Sequence, residues 1–278
     1  MNILKIKTVG IVMFFFGTIL ILPQNLFAQN DVPSGDYPNK TDDQGKKQGN
    51  WKKLDAKGTC IYIGQFKDDV PYGTFTYFDD QGKKMTEMNF VKGETIAYCK
   101  MFSVTGKLQA QGKYINQKKD SVWTFFTEDG LFLSQEKYKN GKKEGKCETY
   151  FPGTKQLAEV KFYKNDLEDS TWIQYYADGK KKGEGAYKAG NYNGRAVWYF
   201  EDGQVNIIGN YVNGLKDGNW VYYYYDLQGK YTVKGKETWK AGKMTSEEQI
   251  IKKDDFNKQI DNPQDPNHDN GGEMPGGQ

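Results

Sequence analysis

Apolar and polar residues alternate along most of this chain in short runs, each closed by a cluster of Gly, Asp or Asn. Alternation with a period of two, bounded by turn residues, predicts half-buried β-strands. The stretch from Leu167, LEDSTWIQYYADGKKKGEGAYKAG, is representative: aromatic residues at Trp172, Tyr175 and Tyr176, then Asp178-Gly179, then a polar run closing on Tyr187. It parses as strand, turn, strand, turn. The layout recurs, and the positions equivalent to Trp172 are Trp51, Phe75, Cys99, Trp123, Cys147, Ala196 and Trp220, spaced by 24 residues with one interval of 25. A second column runs Phe66, Phe90, Tyr114, Tyr138, Tyr163, Tyr187 and Tyr211, and turn glycines recur at Gly58, Gly82, Gly106, Gly130, Gly179 and Gly203. A fixed short period makes an array of one supersecondary unit the expected architecture. The expectation is an all-β fold, an elongated single-layer antiparallel β-meander of eight 24-residue hairpin repeats over residues 41–243. Sixteen strands at ~4.8 Å each would extend about 75 Å.

The dipeptides Asp129-Gly130, Asp178-Gly179 and Asp202-Gly203 suit the positive φ of a two-residue hairpin, so the first turn of each unit is expected to be of that kind. Asn140-Gly141 and Asn213-Gly214 mark the second turn, where Lys67-Asp68-Asp69 and Asn116-Gln117 do without glycine. The pairing that follows sets Trp51 opposite Gly64, Cys99 opposite Gly112, Trp172 opposite Gly185 and Ala196 opposite Gly209, but Phe75 opposite Met88 and Trp123 opposite Glu136. A ring folded across its facing glycine would cover bare backbone. A further column of small residues, Gly49, Gly73, Ala97, Ser121, Gly145, Ser170, Gly194 and Gly218, never lapses. The expected core is a seam of rings and glycine. It accounts for 32 glycines, 20 tyrosines, 16 phenylalanines and 6 tryptophans in a chain whose mean hydropathy is −0.84.

The ends differ from the array. Residues 1–28 carry Lys5 and Lys7, an apolar run from Val9 to Leu22 and a small-residue exit at Ala28, the layout of a secretory signal peptide. That run is too short to span a bilayer comfortably, and after Ala28 nothing is apolar enough to do so. Residues 29–40 read as a linker. Thr245-Ser246-Glu247-Glu248 predicts the start of a short capping helix over 244–260, placed to cover the open edge of the last strand. Residues 261–278, rich in Pro, Gly, Asn and Asp, read as disordered. The mature chain is therefore expected outside the cytoplasm, in the periplasm, at the cell surface or secreted.

Charge narrows the choice of partner. Setting aside the two signal lysines, 39 basic residues against 36 acidic ones leave a nearly neutral chain, with Arg195 the single arginine. Nucleic-acid binding rests on a basic patch and draws on arginine forks, so it is not expected. Cys99 and Cys147 share a column four strands apart, roughly 19 Å at ~4.8 Å per strand, beyond the ~7 Å a disulfide allows. Buried free thiols are expected instead.

The segment GNYVNGLKDGNWVYYY, with its relatives GKYINQKKDSVWTFF and GAYKAGNYNGRAVWYF, resembles the MORN repeat pattern of glycine, aromatic, turn, glycine, aromatic. The 24-residue period and the alternation toward DGKKKGEGAY more closely resemble the bacterial MORN variant labelled the YwqK family of toxin–antitoxin antitoxins. The resemblance covers roughly Thr41 to Lys243. It implies MORN-like hairpin units, no shared active site and a binding role, which under the antitoxin label is the capping of a partner toxin.

Chemistry is sparse. His268, the single histidine, lies in the tail, and three dispersed cysteines make no zinc set, so no metal and no cofactor is expected. The acid pairs Asp42-Asp43, Asp68-Asp69, Asp79-Asp80 and Glu128-Asp129 fall at turns, where Asp is favoured for its backbone hydrogen bonds and not for acid–base work. No enzyme is expected. Alternation sends Trp172 and Tyr176 to one face and Ile173 and Tyr175 to the other, and likewise Trp198 and Phe200 against Val197 and Tyr199, so both faces carry rings. Contiguous exposed apolar area marks an interaction surface. The expected binding surface comprises Trp123, Trp172, Tyr175, Trp198, Tyr199, Trp220 and Tyr222. Its expected ligand is a protein partner in the cell envelope, the alternatives being a cell-wall polysaccharide stacked on the rings or a toxin.

Overall fold

A computed structural model describes residues 31–91, 95–226 and 228–250. The segment 1–28, most of the residues after Gln249 and the tail 261–278 lie outside the described residues. Each unit supplies two strands. They are Lys47–Leu54 and Cys60–Lys67, Val70–Phe78 and Lys84–Phe90, Ile96–Phe102 and Leu108–Ile115, and Lys118–Phe126 and Phe132–Lys139 in the first four units. The last four give Lys142–Tyr150 and Leu157–Lys164, Leu167–Tyr175 and Lys181–Lys188, Asn191–Tyr192 with Gly194–Tyr199 and Val205–Val212, and Leu215–Tyr225 and Tyr231–Lys240. Short strands Lys40–Thr41 and Lys243–Gln249 flank them. Every strand pairs antiparallel with its sequence neighbours, giving an open meander in chain order with no helix among the described residues.

All six expected pairings occur, including Trp51 with Gly64, Trp172 with Gly185 and Trp123 with Glu136. The turns that produce them are the reverse of expectation. In the first turn Asp55 N–H donates to the Thr59 carbonyl and Gly58 N–H to the Asp55 carbonyl, a three-residue loop with one left-handed residue, Gly58 at φ 86°. A one-residue register shift between Lys53 and Leu54 absorbs the extra residue, which is why the pairing survives. The two-residue hairpin is the second turn, where two successive residues have positive φ: Asp68 and Asp69, Asn116 and Gln117, Asn140 and Gly141, Asn213 and Gly214. Asp-Gly at the first turn therefore satisfies one left-handed position, not two. Its aspartates are spent locally, as where Asp55 Oδ1 accepts from the N–H groups of Lys57 and Thr59 at 2.8 Å each.

The small-residue column has a backbone cause. Between units, four residues of each first strand span two of the preceding strand, as where Gln111 pairs with Thr124 and Lys113 with Asp120. The same bulge occurs at Gln65/Tyr72, Tyr163/Glu168 and Asn210/Asp217. At each bulge the small residue turns left-handed, from φ 61° at Ser121 to φ 96° at Gly194. Unit three pairs with unit two without a shift, and there the column holds Ala97, which has no positive φ.

Large rings are buried in a single layer because the sheet offers them flat backbone. A Cβ on Gly64, Gly112 or Gly209 would collide with Phe75, Trp123 or Trp220 respectively. Each of these rings thus covers a glycine of the preceding unit, its own cross-strand partner being Met88, Glu136 or Glu237. Phe75, Trp123 and Trp220 are 2%, 0% and 0% exposed. Cys60, Cys99 and Cys147 are buried and unbridged.

Both ends depart from the sequence reading. In the segment expected to be a linker, the Asn39 side-chain amide bonds the Lys52 N–H and carbonyl, and Asp31 bonds Gly82 and Lys84, so residues 31–41 lie along the first two units. At the other end residues 243–249 form a strand where a capping helix was expected. The Ala241-Gly242 turn, φ 49° and 77°, simply repeats the two-residue hairpin, and local turn geometry overrides a weak capping signal.

Candidate binding groove

The seven residues expected to form a binding surface separate into three groups. Trp123, Trp172 and Trp220 are at most 2% exposed, so these three are corrected from surface to core. Tyr175 and Tyr199 lie on the opposite face by alternation, where the Tyr199 hydroxyl donates to Glu184 Oε1 at 2.5 Å. Trp198 and Tyr222 remain half-buried on the ring-bearing face. Trp123 belongs to a separate cluster with Cys99 and Ala110.

Trp198 lines a concavity of about 340 Å³ over units six to eight, together with Trp172, Gln174, Tyr192, Tyr211, Lys216 and Trp239. This is at the small end of ligand sites, which run from ~300 to ~1,000 Å³. Its lining rings pack on further rings: Tyr192 stacks on Tyr211 at 5.0 Å and on Tyr187 at 4.3 Å, and Trp198 lies tilted 6.0 Å from Trp220. Burial raises the Tyr211 phenol to about 12, so it stays a neutral donor.

One wall is electrostatic. Lys216 Nζ lies 4.5 Å from the Trp220 ring and 4.6 Å from that of Trp239. It donates to the Tyr222 hydroxyl at 2.9 Å and stands 3.5 Å from Glu237 Oε2. Glu237 accepts from the Tyr222 hydroxyl at 2.6 Å and from Trp239 Nε1 at 2.7 Å. Burial pushes the Glu237 carboxyl up, but these hydrogen bonds and the Lys216 charge outweigh it and hold the group below the ordinary carboxylate value. Burial and then the bond to Glu237 drive the Tyr222 phenol strongly upward.

The lysine was not singled out in the sequence, although it has the same period. Four residues before the core column, at Trp51, Trp123, Cys147 and Trp220, stand Lys47, Lys119, Lys143 and Lys216, and each lies over a ring. Lys119 faces Trp123, Phe125 and Tyr138 at 4.5, 5.0 and 5.0 Å. The bulge draws the two positions together, since four residues advance only two along the neighbour. The signal was a lysine recurring at one fixed offset from the repeat column in four of the eight units.

Trp172 departs from its counterparts. Trp123 Nε1 donates to the Lys113 carbonyl at 3.1 Å and Trp220 Nε1 to that of Asn210 at 3.2 Å. Both rings lie back over a glycine. The residue preceding Trp172 in that place is Lys161, which leaves no flat backbone, so the ring lies forward over Gly183 and Gly185, next to the small Ala196. Its Nε1 is buried without an acceptor. An orphaned donor costs ~1–3 kcal/mol, so this unit trades stability for the opening beside it.

The described residues contain no group of three or more His, Cys, Asp or Glu able to hold a metal, and no helix long and apolar enough to cross a membrane. No family model matches the chain, and no curated protein matches it. Among solved structures, a chain of the Photorhabdus luminescens Tc holotoxin pore carrying the TccC3-D651A mutation is similar over 73% of this chain at 12% identity and TM-score 0.19. The match spans 13% of that chain, and at this score it carries no argument.

Proposed function

We propose that this chain is an exported, non-catalytic binding protein that engages a partner protein through its ring-bearing face over units six to eight. The observation that carries this reading is the groove, a concavity in the ring-bearing face lined by half-buried Trp198, Tyr192 and Trp239. Rigid aromatic anchors rimmed by a few polar groups are what protein interfaces concentrate their energy in. Of the turn carboxylates, the natural acid–base candidates, Asp55, Asp79 and Asp226 are engaged by the backbone of their own turns, Asp68 and Asp69 accept from Gln48 and Lys47, and Asp129 pairs with Lys107. Export rests on the signal-like pattern of residues 1–28.

The test is affinity capture from envelope extracts with the parent chain and with Trp198→Ala plus Tyr222→Ala, the fold of the variant being checked by circular dichroism. The expected result is one partner held by the parent and lost by the variant. A partner retained by the folded variant refutes the site, and capture of no specific partner counts against the function. Co-sedimentation with purified cell wall, abolished by the same substitutions, would replace the protein partner with a polysaccharide.

A further inference from the structure

We propose that the groove recognises an alkylammonium group, delivered by a lysine side chain of the partner; this rests on the protein-binding reading above. The chain displays the preference internally. Units one, four, five and eight each place their own lysine, Lys47, Lys119, Lys143 or Lys216, against the rings that follow it, at 4.5–5.0 Å for the nearest ring of the same unit in units four, five and eight and 4.6 Å for Phe66 in unit one. An ammonium over aromatic faces is held by the ring quadrupole, and the hold strengthens as the site is desolvated.

In units six and seven the same position is Glu168 and Tyr192. The rings that line the groove persist there without a lysine at that position. Trp172, Trp198 and Tyr211 line the groove, and Tyr192 adds a further ring in the place of the lysine. Glu168 forms no salt bridge among the described residues, and its charge is felt by the neighbouring Tyr163 and Tyr187 phenols. A carboxylate thus stands, outside the groove's lining, where units one, four, five and eight carry a cation, which favours accepting an ammonium over supplying one. Lys216 does not oppose this, because its charge is matched by Glu237 at 3.5 Å on the far wall. Units two and three also lack the lysine, with Pro71 and Thr95 in its place; units six and seven are where a carboxylate and a ring take it. The groove lies over those two units and reaches Lys216 of unit eight on its wall.

The test titrates the full chain with Nα-acetyl-lysine methylamide, and in parallel with the same compound acetylated on Nε, which keeps the shape and removes the charge. Tryptophan fluorescence reads binding. Saturable quenching by the charged probe is expected, with the neutral one about tenfold weaker, and with the response lost in Trp198→Leu. Glu168→Lys supplies a second variant, placing a lysine at the position lysine holds in four other units. It should fill the site from within and weaken the probe about tenfold while far-UV circular dichroism stays unchanged. Equal binding of the two probes, no binding of either, or undiminished binding by folded Glu168→Lys would overturn the inference. Loss of the partner in the capture experiment above together with failure of the lysyl probe would leave the binding function standing and remove only the ammonium.

Discussion

Replacing Gly209 by alanine tests the way this sheet makes its core. Gly209 has ordinary extended backbone, so a methyl group there is not opposed by φ. It is opposed by Trp220, whose Cδ2, Cε2 and Cε3 occupy the space. The ring cannot retreat, since Tyr211 stands at 5.0 Å edge-on, Lys216 caps it at 4.5 Å, and its Nε1 is tied to the Asn210 carbonyl at 3.2 Å. Overpacking of this kind costs about 1–3 kcal/mol. Loss of the indole hydrogen bond adds about 0.5–1.5 kcal/mol, and reduced freedom of the unfolded chain returns about 0.4–1 kcal/mol. The net expectation is destabilisation by about 1–3 kcal/mol. Urea unfolding followed by tryptophan fluorescence measures it, and hydrogen exchange at the Trp220 indole N–H reports the local event if the array does not unfold as one unit. Combining Gly209→Ala with Trp220→Leu should recover part of the alanine penalty, a coupling of about 1 kcal/mol or more. An alanine variant as stable as the parent, with the indole still protected, would refute the view that the ring needs bare backbone beneath it.

Ser170→Gly should stabilise by about 0.5–1 kcal/mol, because a side chain at φ 73° costs about 1–2 kcal/mol and glycine gives back only part of that in the unfolded chain; the urea midpoint reads it. The depressed carboxyl of Glu237 contributes stability that is present above its unfolded value near 4.5 and is lost as pH falls through the lower folded value, so Glu237→Gln should flatten the acid limb of a stability–pH curve relative to the parent. Burial raises the Cys99 thiol to about 11 and the Cys60 and Cys147 thiols as well, so iodoacetamide at pH 8 should label none in the native chain and all three in denaturant. Rapid native labelling of Cys99 would contradict its burial.

The repeat, the meander and the strand register were legible because aromatic and glycine positions keep phase over eight units. Turn types were not. Asp-Gly satisfies a three-residue loop with one left-handed glycine as well as a two-residue turn, and pairing arithmetic cannot separate them when a bulge restores the register. The small-residue column was seen without its cause, since a left-handed φ leaves the same mark in sequence as a steric need. The surface reading of Trp123, Trp172 and Trp220 follows from rings falling on both faces of one layer; glycine on the adjoining strand buries all three. Trp198 stays open for a local reason. Trp172, displaced by Lys161, lies forward over Gly183 and Gly185 and not back over the preceding unit.

The order of the strands also determines how the molecule bears load. Each strand hydrogen-bonds only to its sequence neighbours, so the first and last strands stand at opposite ends of the sheet. Tension applied through them runs along the hydrogen bonds and not across a clamp of parallel shear. Bonds under such loading open one after another, and a unit can peel away while its successors stay folded. Each released unit frees a contour of roughly 80 Å at ~3.4 Å per residue. Held at both ends, the array would lengthen in steps at low force, behaving as an extensible tether.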